Sequence, residues 1–217
     1  MLIKARSGAV IGYRCLHAGL KMEVIKDFAI FDDHSYLDLE DRSKDVDDFI
    51  HNSAPILQKH KMAITYGLFQ DKAGQDHSPI GFATLQNDAI PIDEEIGNTQ
   101  AIKIACFGIV EGRRYIGFGS TFLAMIRHFV SHPNNHIGCR FLTLNIRPTI
   151  ARLNFYDKNS FIVLGGRPAK LNPAKNIIMY LDLERPGMLR PCPVCPKHPP
   201  GSESQRSGQS YRVPIIR

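Results

Sequence analysis

The sequence predicts an α/β fold, a mixed central β-sheet flanked by helices. Apolar runs of strand length alternate with stretches of helical periodicity, and glycine- and proline-rich punctuation separates them. The longest apolar run, AIKIACFGIV at 101–110, leads through a glycine-bearing turn directly into a periodic stretch. At 217 residues, 43% apolar and 22% charged, the chain suffices for one domain with its own core and some spare length. No apolar run approaches the roughly 20 residues of a membrane helix, so no membrane partner is expected. Cys15, Cys106, Cys139, Cys192 and Cys195 are odd in number and lack framework spacing, which fits a reducing, cytoplasmic setting.

The formal net charge of +6 is unevenly placed. Residues 1–21 carry four basic side chains and no acid, residues 185–217 six against one, and residues 22–184 seventeen against twenty. A basic chain with a mildly acidic centre does not imply a nucleic-acid face on the folded part. Three segments are expected: an N-terminal extension at 1–21, upstream of an ordered region that begins at Met22; a domain at 22–184; and a Pro/Gly/Ser-rich, disordered basic tail at 185–217.

Within the domain, EVIKDFAIF (23–31) has strand character. SKDVDDFIHNSAPILQKH (43–60) reads as a helix, with Ser43 placed to cap it and Val46, Phe49 and Ile50 as its apolar stripe. Asp45, Asp47 and Asp48 suit the positive end of its dipole and call for no metal. MAITYGLFQ (62–70) and PIGFATLQ (79–86) read as strands joined through the turn-rich DKAGQDHS. The run 101–110 reads as a strand buried on both faces, and 118–131 as a helix ending before Pro133. CRFLTLNI (139–146) is a strand, and 148–159 a helix with Pro148 in its first turn and Asn159 near its end. FIVLG (161–165) and KNIIMYLDL (175–183) close the series as strands.

EGRRYIGFGSTF (111–122) lies on the seam between a strand and a helix. A helix start leaves N–H groups unpaired and carries partial positive charge, glycines admit a close ligand, and Arg113 and Arg114 add formal charge, so the seam suits a pyrophosphate. A Walker loop would need Gly-Lys-Ser/Thr, and GFGST has no lysine. A dinucleotide fingerprint would need a small residue at Phe122 and an acid near Cys139 and Arg140. Residues 114–119 match the remaining pattern, Arg/Gln-x-x-Gly-x-Gly/Ala, at every specified place, and in ARLNFYDKNSF Phe155, Tyr156, Lys158 and Phe161 stand in a second register, Phe/Leu-Tyr-x-Lys-x-Gly-Phe.

On these two motifs, in this order, residues 22–184 resemble the GNAT N-acetyltransferase superfamily, in the branch that includes bacterial acetyltransferase toxins and their uncharacterised relatives. The resemblance implies the GNAT acyl-CoA N-acyltransferase fold and acetyl-CoA as acetyl donor to an amine acceptor. It implies Tyr156 as the proton donor to the thiolate. Gly108, Ile109 and Val110 would pair with the pantetheine where the strand splays, and Arg113, Arg114, Tyr115, Ile116, Gly117, Phe118, Gly119 and Ser120 would cradle the pyrophosphate. Glu111 and Asp88 are the acids placed to take the amine's proton, each of which also reads as a plain surface carboxylate. Two departures stand out: Ser160 replaces the usual Gly before Phe161, and Arg152 occupies a position where a small residue often packs near the cofactor.

The acceptor stays open. A small-molecule or peptide amine is favoured over aminoacyl-tRNA because the centre is acidic, with Asp32, Asp33, Asp38, Glu40 and Asp41 clustered. A non-catalytic domain binding CoA or a partner is the alternative of another class, and a homodimer is compatible with the resemblance. CPVC (192–195) with His198 offers three zinc ligands where a structural site wants four, and His51, His60, His128, His132 and His136 show no ligand spacing, so no metal is expected.

Overall fold

The structure, a computed structural model, describes residues 2–4, 10–15, 19–32, 36–37, 43–70, 79–93, 97–113, 116–132 and 139–184. The connection 71–78, Arg114 and Tyr115, His136, the acids Asp33, Asp38, Glu40 and Asp41, and the tail 185–217 lie outside the described residues.

Among the described residues ten strands form one sheet: β1 (Leu2–Lys4), β2 (Val10–Cys15), β3 (Leu20–Val24), β4 (Tyr36–Leu37), β5 (Ala63–Gln70), β6 (Pro79–Asp93), β7 (Gly97–Val110), β8 (Phe141–Ile146), β9 (Ile162–Val163) and β10 (Ile177–Asp182). Their order is β1-β2-β3-β5-β6-β7-β8-β10-β9, with β4 on β7, and every pairing is antiparallel except β7 with β8. The one parallel pair is joined through the long helix α3 (Phe118–Val130), the connection a parallel pair requires.

Helix α4 (Ile150–Lys158) joins α3 on one face, where Phe122, Ile126, Phe129, Leu153 and Tyr156 close over Leu68, Leu85, Ile104 and Leu144. The other face carries α1 (Ser43–Asp48) and α2 (Ala54–Lys59), whose Val46, Ile50 and Ala54 pack with Phe31, Phe69 and Phe82. A π-helical turn, Phe49–Ser53, joins α1 to α2, with Ala54 N–H donating to the Phe49 carbonyl. Pro55 explains the widening: without an N–H it cannot accept the α register, and its ring crowds the carbonyl four residues back. Gln58 ties α2 to the sheet by donating to the Ile25 carbonyl and accepting from Thr65 N–H.

Four elements differ from the sequence reading. Strand character at 23–31 ends at Val24 because Asp27 caps a 3-10 turn at Phe28–Phe31, its side chain accepting from Ala29 N–H. The ordered sheet begins before Met22: residue 22 lies inside β3, and β2 and β1 continue the sheet beyond it. The strand read at 79–86 does not stop there: β6 runs on through Asp88 to Asp93 in a long hairpin with β7. There β6 has left β5, whose pairing stops at Gln86, so Pro91 sits on an edge strand, the setting that tolerates proline. Pro148 lies outside α4, whose cap is Thr149. Among the described residues no helix is long and apolar enough to cross a membrane.

Candidate active site

Strand β7 pairs with β8 from Ala101↔Phe141 to Ile104↔Leu144 and then leaves it. The cause is a bulge. On the opposite edge the partner of β7 passes from Leu85↔Ile104 to Thr84↔Cys106, so Ala105 is an extra residue that bends the strand away. Strand β4 meets the departing edge again at Ile109 and Val110, the edge that β6 leaves free. Between these contacts, Ala105 to Gly108 have no described strand beside them on that edge, and Ala105, Cys106 and Phe107 are only half-buried.

Such an edge can accept an extended ligand as an added strand. The split lies earlier than the sequence suggested. Ile109 and Val110 are taken by β4, and a side chain on Gly108 would come within 2.8 Å of Phe82 and 3.0 Å of Val46, so that glycine serves the packing of α1 on the sheet. Ala105, Cys106 and Phe107 are the residues that sequence reasoning missed, because a bulge depends on register with β6 and has no local signal.

After β7 a short 3-10 turn, Glu111–Arg113, leaves both end residues exposed. Gly117 is the N-cap of α3 with φ 93°, a left-handed conformation, and space is open where a side chain would stand. It offers no side-chain cap, and the first turn of α3 has no acid, so the helix start is not neutralised from within. The site thus has the donors and the field an anion needs. Gly119 has a different reason: a Cβ there would lie 3.2 Å from the Phe155 ring, so the glycine lets α3 and α4 approach. Ile116 is exposed, Phe118 packs against the main core, and Ser120 accepts from Asn159 Nδ2 at 3.2 Å, its own hydroxyl hydrogen remaining to be donated.

The second motif is a helix stop that holds Tyr156. Thr149 caps α4 by accepting from Arg152 N–H at 3.2 Å. At the other end Phe161 N–H donates to the Tyr156 carbonyl at 3.0 Å and Ser160 N–H to the Asp157 carbonyl at 2.9 Å, the two bonds of a Schellman motif. The hydrophobic contact of that motif is Tyr156 against Phe161, with ring centroids 5.7 Å apart, and Phe155 meets Tyr156 edge-on at 5.1 Å. Phe107, from the split of β7, completes the aromatic wall at 6.4 Å from Phe155 and 5.6 Å from Phe122. Tyr156 is therefore buried on the face of the sheet that α3 and α4 cover. Arg152 points inward as well, 5% exposed, with Nη1 donating to the Arg147 carbonyl at 3.2 Å.

Asp88 is not brought to this place. It stands opposite Ala101, four residues before the bulge or about 13 Å along the strand. It accepts from Thr143 Oγ1 at 2.7 Å, and Thr143 alternates with Leu142 and Leu144, which face the α3/α4 core, so Asp88 lies on the opposite face from Tyr156. Apart from the split, a cavity of about 110 Å³ lies where Lys61, Ile64 and Tyr66 meet Phe129 and Val130, far from the start of α3. Burial there pushes the Tyr66 phenol up to about 12. Among the described residues no three His, Cys, Asp or Glu side chains gather as a metal site would require.

No family model matches the chain, and no curated protein matches it. Solved structures do. AtaT complexed with acetyl-methionyl-tRNAfMet superposes with a TM-score of 0.56 at 13% identity over 75% of this chain and 94% of that one. AtaTR bound with acetyl-CoA gives 0.55 at 17% identity over 76% and 94%, and a Tyr-to-Phe mutant of KacT gives 0.55 at 15% over 76% and 95%. The chain has the GNAT fold. In a fold so divergent in sequence, the start of α3 at Gly117 and the helix stop after Tyr156 were legible because each rests on a local backbone device.

Proposed function

We propose that the chain is an acetyl-CoA-dependent N-acetyltransferase that acts on a primary amine. The observation that carries this reading is the bulge-split edge of β7, followed along the chain by the acid-free start of α3 that no side chain caps, with Tyr156 buried on the face that α3 covers. The Ala105–Gly108 edge would hold the extended pantetheine, and Arg113, Ser120 and the first N–H groups of α3 the pyrophosphate. Bound acetyl-CoA supplies an activated acyl carbon. The amine nitrogen bonds to that carbon, the carbon–sulfur bond breaks with its electron pair on sulfur, and the Tyr156 phenol gives its proton to the sulfur. The amine's surplus proton passes to water, from which exposed Glu111 can accept it. Acetyl-CoA-bound AtaTR supports the choice of donor.

Calorimetric titration of the full chain with acetyl-CoA, beside Gly117→Glu, tests this. The variant places a carboxylate on a left-handed glycine at the anion site, and its affinity is expected to fall at least about tenfold with the fold retained. A folded wild-type chain that does not bind acetyl-CoA would move the weight to a partner-binding domain. A second reading, an aminoacyl-tRNA acceptor, gains support from exposed Arg167, Lys170 and Lys175 on the turn between β9 and β10 and from the tRNA complex of AtaT. Transfer of labelled acetyl to charged tRNA, against transfer to small amines, decides between the two.

A further inference from the structure

Asn159 ties the end of α4 to the start of α3. Its Nδ2 lies 2.8 Å from the Phe155 carbonyl oxygen and 3.2 Å from Ser120 Oγ. A carbonyl oxygen can only accept, so the amide nitrogen, with two hydrogens to give, belongs on that side and donates to both. The Phe155 carbonyl also accepts from the Asn159 backbone N–H at 3.2 Å, so the side chain is not what closes α4. The contact that only the Asn159 side chain makes is the one with Ser120.

Ser120 Oγ is thereby an acceptor, and its own hydrogen must go elsewhere. The other hydroxyls along α3 donate to the carbonyl four residues back: Thr121 to Gly117 at 3.1 Å, and Ser131, its C-cap, to Arg127 at 2.8 Å. Ser120 does not, and among the described residues nothing accepts from it. It is the third residue of α3, in the turn whose N–H groups have no intrahelical partner. Helical side chains lean toward the N-terminus, so its hydroxyl lies over that turn. Accepting one hydrogen bond also strengthens a hydroxyl as the donor of another.

We infer that Asn159 is a positioning residue that holds the Ser120 hydroxyl as a donor to the pyrophosphate of the acetyl donor. This inference rests on the acetyltransferase reading. By occupying the acceptor side of Oγ, the amide leaves the hydroxyl hydrogen to a phosphate oxygen, which has only lone pairs to offer.

Coenzyme A affinity, measured by calorimetry on the full chain, tests this through a double-mutant cycle of Ser120→Ala and Asn159→Ala. Ser120→Ala is expected to weaken binding about tenfold. Asn159→Ala should weaken it about threefold or more in the wild-type background and less than about twofold once Ser120 is alanine, because its effect passes through that hydroxyl. A merely structural role at the end of α4 predicts the same loss in both backgrounds, and that result overturns the inference, as does an Asn159→Ala chain that binds like the wild type. Unchanged affinity in Ser120→Ala overturns it as well, whether or not the Asn159 variant folds. A folded wild-type chain that does not bind coenzyme A would overturn the acetyltransferase reading itself, and this inference with it.

Discussion

Ser160 adopts φ 71° where the chain turns out of α4, the left-handed conformation that the two Schellman bonds require. An L-residue pays for that conformation with contact between Cβ and the next carbonyl, roughly 1–2 kcal/mol. Ser160→Gly is therefore expected to stabilise the fold by about 0.5–1 kcal/mol, after allowance for the greater freedom of glycine in the unfolded chain, as read from the midpoint of urea unfolding. No stabilisation would mean that the serine hydroxyl compensates the strain. The same scale separates the two glycines of the first motif: Gly117 answers to backbone conformation and Gly119 to the closeness of Phe155. The motif spacing was legible in the sequence. Which glycine bordered open space and which faced a helix was not, because that depends on what packs alongside.

Helix α4 is short, and its ends define it. The Thr149 cap satisfies the Arg152 N–H at the start, and the Schellman bonds satisfy the last carbonyls, so the helix is pinned at both ends around Tyr156. Thr149→Ala is expected to cost about 1 kcal/mol in urea unfolding. If Tyr156 is the proton donor, acetyl transfer should fall as well, since the start of the helix sets the direction of the tyrosine. Unchanged stability would show that the cap bond is replaced by water. The other helical run, 43–59, kept its predicted start at Ser43 and its apolar stripe at Val46 and Ile50, while Pro55 converted its middle to a π turn. Strand order followed the apolar runs, yet the hairpin of β6 and β7 extends through NDAIPID, where polar residues and Pro91 hid the strand character.

Across the whole molecule, the sheet separates the face that α3 and α4 cover from a second packed layer, and it buries polar groups that report on stability. Tyr66, 5% exposed between β5 and α3, has its phenol pushed up to about 12 by burial alone. The folded state thus holds this proton more tightly than the unfolded one, whose tyrosines titrate near 10. Its contribution is complete below about pH 10 and is lost as the pH rises toward 12, by at most about 3 kcal/mol. Urea unfolding followed from pH 9 upward should show that decline, and Tyr66→Phe should flatten it. An unchanged slope in the variant would assign the alkaline loss to other groups.

The element order from residue 43 to 182, the helix over α3, the glycine-bearing turn and the tyrosine motif were determined by the sequence itself. Each is written in local signals: period, capping and the left-handed demands of single residues. Only tertiary structure decided where β7 parts from β8, since the bulge at Ala105 exists relative to the register of β6. It also set Asp88 on the far face, carried the sheet back to residue 2, and buried Arg152. These are relations between distant segments, settled by what the packed sheet leaves room for rather than by any residue's own preference.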